Sequence, residues 1–233
     1  MKNEYENERF KESVEKINLN RMTSSMINIG EMIKETATKI FGVEGESVTE
    51  MVKLVLWAYF EGVPIYFAAE GRSALKGAWS FAMRLTHLGI LCFITGPLGI
   101  TTPWMREKAL VIAVSGSGKT SSNIDVCQHV REEAEKRDLE IKIIVVTANG
   151  KSPLASYGDL VIVLPEKKQF IESCNSYLKR QLTEQPIPLG DFFENIVSIF
   201  LDVVVVELMH VTGITEEEME RRHVRNKKFN FKI

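Results

Sequence analysis

The sequence ALVIAVSGSGKTSSNI, residues 109–124, joins an apolar run to a turn rich in glycine and serine and then to a polar segment. Residues 109–115 show no alternation of polar and apolar side chains, which is typical of a strand buried on both faces of a sheet. The segment TSSNIDVCQHVREEAEKR, which starts at residue 120, has the pattern of a helix. A strand, a short turn and a helix in this order form the repeating unit of a parallel α/β protein.

Four further apolar runs alternate with helical segments along the chain. They are PIYFAA (64–69), ILCFIT (90–95), IKIIVVT (141–147) and DLVIVL (159–164). Together the five runs predict an α/β fold, a three-layer α/β/α sandwich around a five-stranded parallel sheet. We expect a single domain over residues 1–233, with N-terminal helices at 1–60, the α/β core at 64–165 and C-terminal helices at 189–226.

Helical extensions flank this core. Apolar residues recur every three or four positions from Phe10 to Ile33, which predicts two amphipathic helices or one long broken helix. Ser47 and Glu50 have the spacing of a capping box and predict that a helix begins there. Residues 190–211 also predict a helix, although the four valines at 203–206 would suit a strand equally well by propensity.

The composition is that of a soluble globular protein, with 45% hydrophobic residues and a formal charge of -2. This balance provides no basic surface for nucleic acid, and no apolar run is long enough to span a membrane. Cys92, Cys127 and Cys174 are widely spaced and form no CxxC pair, which argues against a disulfide framework or a zinc site. We therefore expect a cytoplasmic protein that has neither nucleic acid nor membrane as a partner.

The end of the quoted turn, Gly118-Lys119-Thr120, matches the end of a nucleotide-binding P-loop. The complete motif needs a glycine five residues before Gly118, where this chain has Ala113 inside the predicted strand. The remaining loop is too short to wrap a triphosphate. Asp202 is the one acid that imitates a Walker B residue, and an ATP-dependent phosphotransferase stays open as a third hypothesis.

The same turn suits a single phosphate group. Backbone N–H groups and the N-terminus of the following helix converge there, and side chains supply further donors. The candidate phosphate-binding residues of this loop are Ser115, Ser117, Lys119, Thr120 and Ser121, with Ser122 as the alternative to Ser121. Arg72 and Ser73 follow the first predicted strand, so two βα loops would face one pocket at the carboxyl edge of the sheet. A turn that merely caps its helix is the alternative.

Several segments resemble the sugar isomerase (SIS) domain family and, within it, the 6-phospho-3-hexuloisomerases. The segments are EGRSALKGAWSFAMRLTHLG, VSGSGKTSS, VTANGKSPLASYGDLVIVLP, PLGDFFE and EEEMERRHV. The resemblance implies a flavodoxin-like sheet, a homotetramer or homodimer with pockets near subunit boundaries, and a sugar phosphate as the ligand. It also implies interconversion of 3-hexulose 6-phosphate and fructose 6-phosphate through an enediol, with no metal or organic cofactor.

The resemblance further implies roles for individual residues. Ser73, Ser115, Ser117 and Thr120 would hold the phosphate with Arg72 nearby. Glu194 would be the base that moves a proton between adjacent sugar carbons, and His223 would act on the oxygens. Two alternatives remain, namely that Glu194 is a solvated glutamate at a helix start and that His223 belongs to a basic tail.

Departures from the family pattern concern substrate and activity. Lys119 stands where the family usually has glutamate, Glu70 is an unusual carboxylate after the first strand, and TGPLGITTPW lacks the acidic residue expected just before Thr101. The tail after His223 also differs. A phosphosugar-binding protein that senses metabolites without turnover is therefore the second hypothesis. His87, within RLTHLG, is interpreted as a packing residue at the edge of the pocket, and His129 and His210 as structural residues.

Overall fold

The computed structural model describes residues 8, 11–95, 106–166, 168, 171–172 and 191–223. Five parallel strands form one sheet in the order β2-β1-β3-β4-β5. The strands are β1 (Ile65–Ala69), β2 (Cys92–Thr95), β3 (Lys108–Ser115), β4 (Glu140–Thr147) and β5 (Leu160–Val163). The predicted five-stranded α/β/α sandwich is confirmed.

The helices lie on both faces of the sheet. They are α1 (Leu19–Val43), α2 (Gly45–Glu61), α3 (Trp79–Leu88), α4 (Ser121–Arg137), α5 (Asp191–Thr212) and α6 (Glu216–Arg222). A π-helical segment, Ser73–Ala78, leads into α3, and a 3-10 turn, Ala155–Tyr157, precedes β5. The valines at 203–206 are helical: Val204 and Val205 are buried in the core, whereas Val203 and Val206 lie on the exposed side of α5, so the helical packing of α5 overrides their strand propensity.

Alternate residues of each strand enter two separate cores. Phe67 and Ile112 pack with α1, α2, α3 and α5, whereas Tyr66 and Val111 pack with α4 on the opposite face. The period-2 geometry of a strand sends neighbouring side chains to opposite faces, so a doubly covered sheet needs apolar residues at every position. This requirement accounts for the continuous apolar runs in the sequence.

The predicted capping box at Ser47 and Glu50 is wrong. Helix α2 begins at Gly45, and its N-cap residue Glu44 makes no side-chain capping hydrogen bond. Ser47 therefore lies within the first turn. A capping box is present at the start of α6, where Thr215 and Glu218 exchange hydrogen bonds.

The chain reverses its winding direction between β1 and β3. From β1 the chain moves to β2 on one side and then returns across β1 to β3, β4 and β5 on the other side. The loops that leave the carboxyl ends of β1 and β3 therefore diverge and leave a crevice, which is where parallel sheets of this topology bind ligands.

The described residues include no single helix with the length and apolar character needed to cross a membrane. Only α5 and α6 taken as a pair bent by 107° meet the requirements of a broken span, by length and composition alone.

Candidate active site

The loop after β3 has the form expected of a phosphate cradle. Strand β3 ends at Ser115 and α4 begins at Ser121, which leaves only five residues between them. Ala113 is buried within the strand, so the loop has no room for the longer turn of a nucleotide P-loop. Asp202 lies on α5 and pairs with Arg84 at 2.7 Å, so it stands in no Walker B position.

The hydroxyl groups of this loop are held in an internal network. The Oγ of Ser115 lies 3.0 Å from Oγ1 of Thr120 and accepts a hydrogen bond from the N–H of Gly118. The Oγ of Ser117 accepts one from the N–H of Lys119. Thr120 is the N-cap of α4 but its side chain does not cap the helix. The first turn of α4 therefore keeps N–H groups that an anion can accept from.

The remaining predicted residues of the loop divide by exposure. The side chains of Lys119 and Ser121 lie at the surface, whereas Ser115 is buried. The Oγ of Ser122 is buried and has no hydrogen-bond partner in the described part of the chain. Because a buried hydroxyl without a partner is costly, Ser122 is a further candidate donor to a bound ligand.

The loop after β4 packs against the loop after β3 and stabilises it through backbone hydrogen bonds. The N–H of Ala148 donates to the carbonyl of Gly116, and the N–H of Leu154 donates to that of Gly118. Gly118 adopts a φ of +61°, and a side chain there would overlap Ser152. The left-handed backbone and the close approach both require glycine at this position.

The second predicted loop lies across the crevice. Ser73 is buried and begins the π-helical segment directly after Arg72. The i to i+5 pattern of such segments is rare and is frequent at functional sites. Arg72 is 55% exposed, and its Nε lies 3.7 Å from Oε1 of Glu194.

Glu194 is brought to the same crevice by the start of α5. The ring of Phe193 lies over Gly116, so close that a Cβ on Gly116 would be 3.0 Å from it. The neighbouring Glu194 is buried, and its Oε2 has no hydrogen-bond partner among the described residues. The alternative of a solvated glutamate at a helix start is therefore wrong.

Two contacts in the turn that follows Glu194 fix the orientation of α5. The Nζ of Lys76 donates to Oδ1 of Asn195 at 3.2 Å, and Gly77 allows Val197 to approach the π-helical segment closely. Because both contacts lie within one turn of Glu194, they hold its carboxylate at the crevice. The structure thus brings Arg72, Ser73, Glu194 and the loop after β3 together.

His223 lies away from the crevice, beside His87. Its ring is 4.9 Å from that of His87, at the far end of α3. Arg222 also donates to the carbonyl of His87, which ties the end of α6 to this point. Ser73 and His87 are fourteen positions apart on one continuous helical rod, so His223 is about 20 Å from the crevice at 1.5 Å per residue.

The two histidines line a cavity of about 660 Å³ between α3, α5 and α6. Its wall also contains the Arg84–Asp202 ion pair and the carboxylates of Glu216 and Glu220. Burial, and after it the charges of His223 and Arg84, hold the pKa of His87 below its ordinary value of 6.5. His87 thus lies at this second cavity and not at the edge of the crevice where the sequence placed it, and His129 and His210 are exposed.

In the ranges that the structure describes, no group of three or more histidine, cysteine, aspartate or glutamate side chains is arranged to hold a metal ion. The groups of the crevice that can interact with an anion include N–H donors, hydroxyls and the cations Arg72 and Lys119.

The sequence model of the SIS domain matches residues 63–181 of the 233, which contain both loops of the crevice. The chain belongs to the SIS domain family. The resemblance that EGRS and VSGSGKTSS indicated is confirmed, including its hexuloisomerase branch. The match ends before Glu194 and His223.

Three known proteins illustrate the similarity. A 3-hexulose-6-phosphate isomerase of Bacillus subtilis is 31% identical over 84% of this chain and 95% of that protein. A hypothetical protein of Methanococcus jannaschii, whose crystal structure led to an inferred function of 3-hexulose-6-phosphate isomerase, is 27% identical, with a TM-score of 0.64 over 85% of this chain and 97% of that one. The Vibrio vulnificus NanR protein, solved with ManNAc-6P, shares the fold at 21% identity and a TM-score of 0.57, over 85% of this chain and 65% of that one.

Sequence reasoning missed three features of this SIS site. Ser122 Oγ is buried because Ser122 lies on the inner side of α4, and the residue at which α4 begins determines which side chains face inward. The contact between Gly116 and Phe193 joins residues 77 positions apart, and local patterns carry no trace of it. The proximity of His87 to His223 likewise depends on the packing of α6 against α3.

Proposed function

We propose that this SIS protein is a phosphosugar isomerase that interconverts 3-hexulose 6-phosphate and fructose 6-phosphate through an enediol intermediate. The observation that carries the proposal is the buried carboxylate of Glu194, with an unpartnered oxygen, beside a loop built to hold one phosphate. The names of the relatives at about 30% identity support the same substrate.

The phosphate group would anchor the sugar in the crevice. Ser73 and the loop from Ser115 to Ser121 would surround its oxygens with N–H and hydroxyl donors, while Lys119 and Arg72 would balance its charge. This anchoring fixes the position of the sugar carbons relative to Glu194, and such positioning is a large part of enzymatic rate enhancement.

Glu194 would then carry out both proton transfers at carbon. Its carboxylate takes the proton from carbon 2 of 3-hexulose 6-phosphate, and the electrons form the double bond of the enediolate between carbons 2 and 3. The protonated Glu194 returns the proton to carbon 3, which leaves the carbonyl at carbon 2. A separate group has to move the proton between the two oxygens.

His223 can supply that group only from another protomer, because it lies about 20 Å from Glu194 in its own chain. A homotetramer or homodimer with sites at subunit boundaries would place the His223 of one protomer at the crevice of its neighbour. The imidazole titrates near neutrality and suits proton transfer between oxygens. We therefore propose that each active site is shared between two chains, in the cytoplasm.

Incubation with fructose 6-phosphate in heavy water tests the reaction. We expect deuterium at carbon 3, because the proton that Glu194 takes from carbon 3 exchanges with the solvent before it is returned to the enediolate. Glu194→Gln should reduce exchange by at least about 10³-fold, in the range typical of general-base removal. Glu207→Gln changes an exposed carboxylate on the same helix and should leave exchange unaltered.

The result also separates this function from its competitors. Label at carbon 1 would instead indicate an aldose–ketose isomerase. Thermal stabilisation by sugar phosphates without exchange at any carbon would show a metabolite-sensing protein and contradict the proposed activity.

A further inference from the structure

The contact between Arg72 and Glu194 is long and asymmetric. It joins one nitrogen, Nε, to one carboxylate oxygen at 3.7 Å, whereas a strong arginine–carboxylate pair is bidentate and shorter. The arginine side chain is 55% exposed and the glutamate side chain 8% exposed. One member of the pair is therefore free to swing into solvent while the other is fixed in the protein.

A second anion would compete for the same guanidinium. Arg72 directly precedes Ser73, and the crevice beside it is bounded by the loop after β3 with its convergent N–H groups. A phosphate held there carries up to two charges and presents three oxygens, against the one oxygen of Glu194 that Arg72 contacts. The planar guanidinium can donate to two oxygens of a phosphate at once.

We propose that the Arg72–Glu194 contact is a latch that the substrate's phosphate group opens. In the empty site Arg72 covers the charge of Glu194. When phosphate occupies the loop after β3, Arg72 turns toward it, and the Glu194 carboxylate is left uncovered beside the sugar. The latch rests on the proposed function of the site, because it regulates the base of that reaction.

The latch uses the phosphate end of the substrate to prepare the reacting end. A guanidinium in contact with the carboxylate stands between it and other groups, so the substrate carbon gains access to Glu194 when Arg72 turns away. Binding energy at a remote, unreacting group would thus be converted into reactivity at carbon. A sugar of the same shape without phosphate would leave Glu194 engaged.

A double-mutant cycle on the binding of inorganic phosphate tests the latch without any turnover. Phosphate affinity is measured calorimetrically at about pH 8, where phosphate is a dianion, for the wild type, Glu194→Gln, Arg72→Gln and the double variant. Glu194→Gln releases Arg72, so we expect it to tighten phosphate binding about fivefold in the wild-type background. The gain should fall below about twofold when Arg72 is already absent, because the two residues act as one unit.

A second carboxylate provides the matched control. Glu70 lies at the end of β1 and forms no ion pair with the described residues. Glu70→Gln removes the same charge near the crevice, and its effect on phosphate affinity should be equal with and without Arg72. Arg72→Lys gives an independent background that keeps the charge but loses the guanidinium fork, and it should reduce the coupling at least about twofold.

Each outcome of the cycle supports or overturns the latch. An equal gain from Glu194→Gln in both backgrounds would show simple charge repulsion and overturn the latch. A wild type that binds no phosphate would overturn both the latch and the phosphate loop. Coupling without deuterium exchange would leave the latch standing and remove the isomerase proposal, so the two failures are distinguishable.

Discussion

At the scale of single residues, two glycines determine the form of the phosphate loop. Gly118 provides a left-handed backbone with φ of +61° and the space that Ser152 occupies. Gly116 provides the space into which Phe193 packs. Neither requirement is visible in the letters SGSG, because both depend on residues far away in the chain.

Gly118→Ala should destabilise the protein more than a change of backbone conformation alone explains. Alanine in the left-handed region costs about 1–2 kcal/mol, and its Cβ would also overlap Ser152. We expect a loss of about 2–4 kcal/mol in the free energy of unfolding, measured by urea denaturation, together with weaker phosphate binding.

Gly62→Ala separates the two contributions, because Gly62 has φ of +66° but no atom near the added Cβ. This control should lose only the conformational part. The addition of Ser152→Gly to Gly118→Ala should recover the steric part, and equal losses for Gly62→Ala and Gly118→Ala would contradict the assignment.

At the scale of elements, the start of α5 connects the sheet edge to the candidate base. Phe193 contacts Gly116, Asn195 accepts from Lys76 and Val197 packs on Gly77, so three successive contacts set the direction of the helix. The carboxylate of Glu194 is held by this arrangement rather than by a strong partner of its own. Catalysis should therefore be sensitive to small shifts of α5.

Gly116→Ala should slow deuterium exchange more than it lowers stability. The added Cβ pushes Phe193 outward and moves Glu194 with it, and misplacement of this size costs about tenfold or more in rate. The control is Gly158→Ala, which has equally close contacts of 3.0 Å before β5, at the opposite edge of the sheet. It should lower the melting temperature without changing exchange per folded molecule.

The pKa of His87 should rise when His223 is replaced by glutamine. Burial is the largest cause of its lowered pKa, and the charge of His223 is the next, so the rise will be partial. Nuclear magnetic resonance titration of the imidazole measures it. A fall in the pKa of His87, or no change, would contradict the contact between the two rings.

The lowered pKa also has a consequence for stability. The unfolded chain binds a proton at His87 more readily than the folded chain does. The contribution of neutral His87 to the free energy of unfolding is therefore complete above its ordinary pKa of 6.5. This contribution is lost as the pH falls through and below that value. In the His223→Gln variant this loss should be smaller.

At the scale of the whole molecule, the distance between Glu194 and His223 connects function to assembly. Helix α5 runs parallel to the π-helical segment and α3, because Glu194 contacts Arg72 and Asp202 contacts Arg84. Glu194 lies at the start of this pair, whereas His223 lies at its other end, beside His87. Exposed apolar residues also form a stripe along α5, consisting of Ile199, Val203 and Val206. Such a patch is typical of a surface that another chain covers.

Mixed oligomers test whether two chains share one site. Glu194→Gln and His223→Gln should each be inactive in deuterium exchange. Subunits of the two variants, unfolded together and refolded in equal amounts, should regain about a quarter of wild-type activity, because one site in four then combines two intact residues. A mixture that stays inactive would exclude the shared site, and each variant refolded alone is the control.

The sequence by itself determined the sheet and the short loop after β3, because both rest on local chemistry. Continuous apolar runs require burial on both faces, and a short loop of serine and glycine before a helix presents N–H groups that an anion can accept from. The capping box at Ser47 failed because hydrogen-bonding potential at one position does not decide where a helix begins. Tertiary structure alone decided that Glu194 is buried beside Arg72 and that His223 lies with His87, since packing between distant helices sets both.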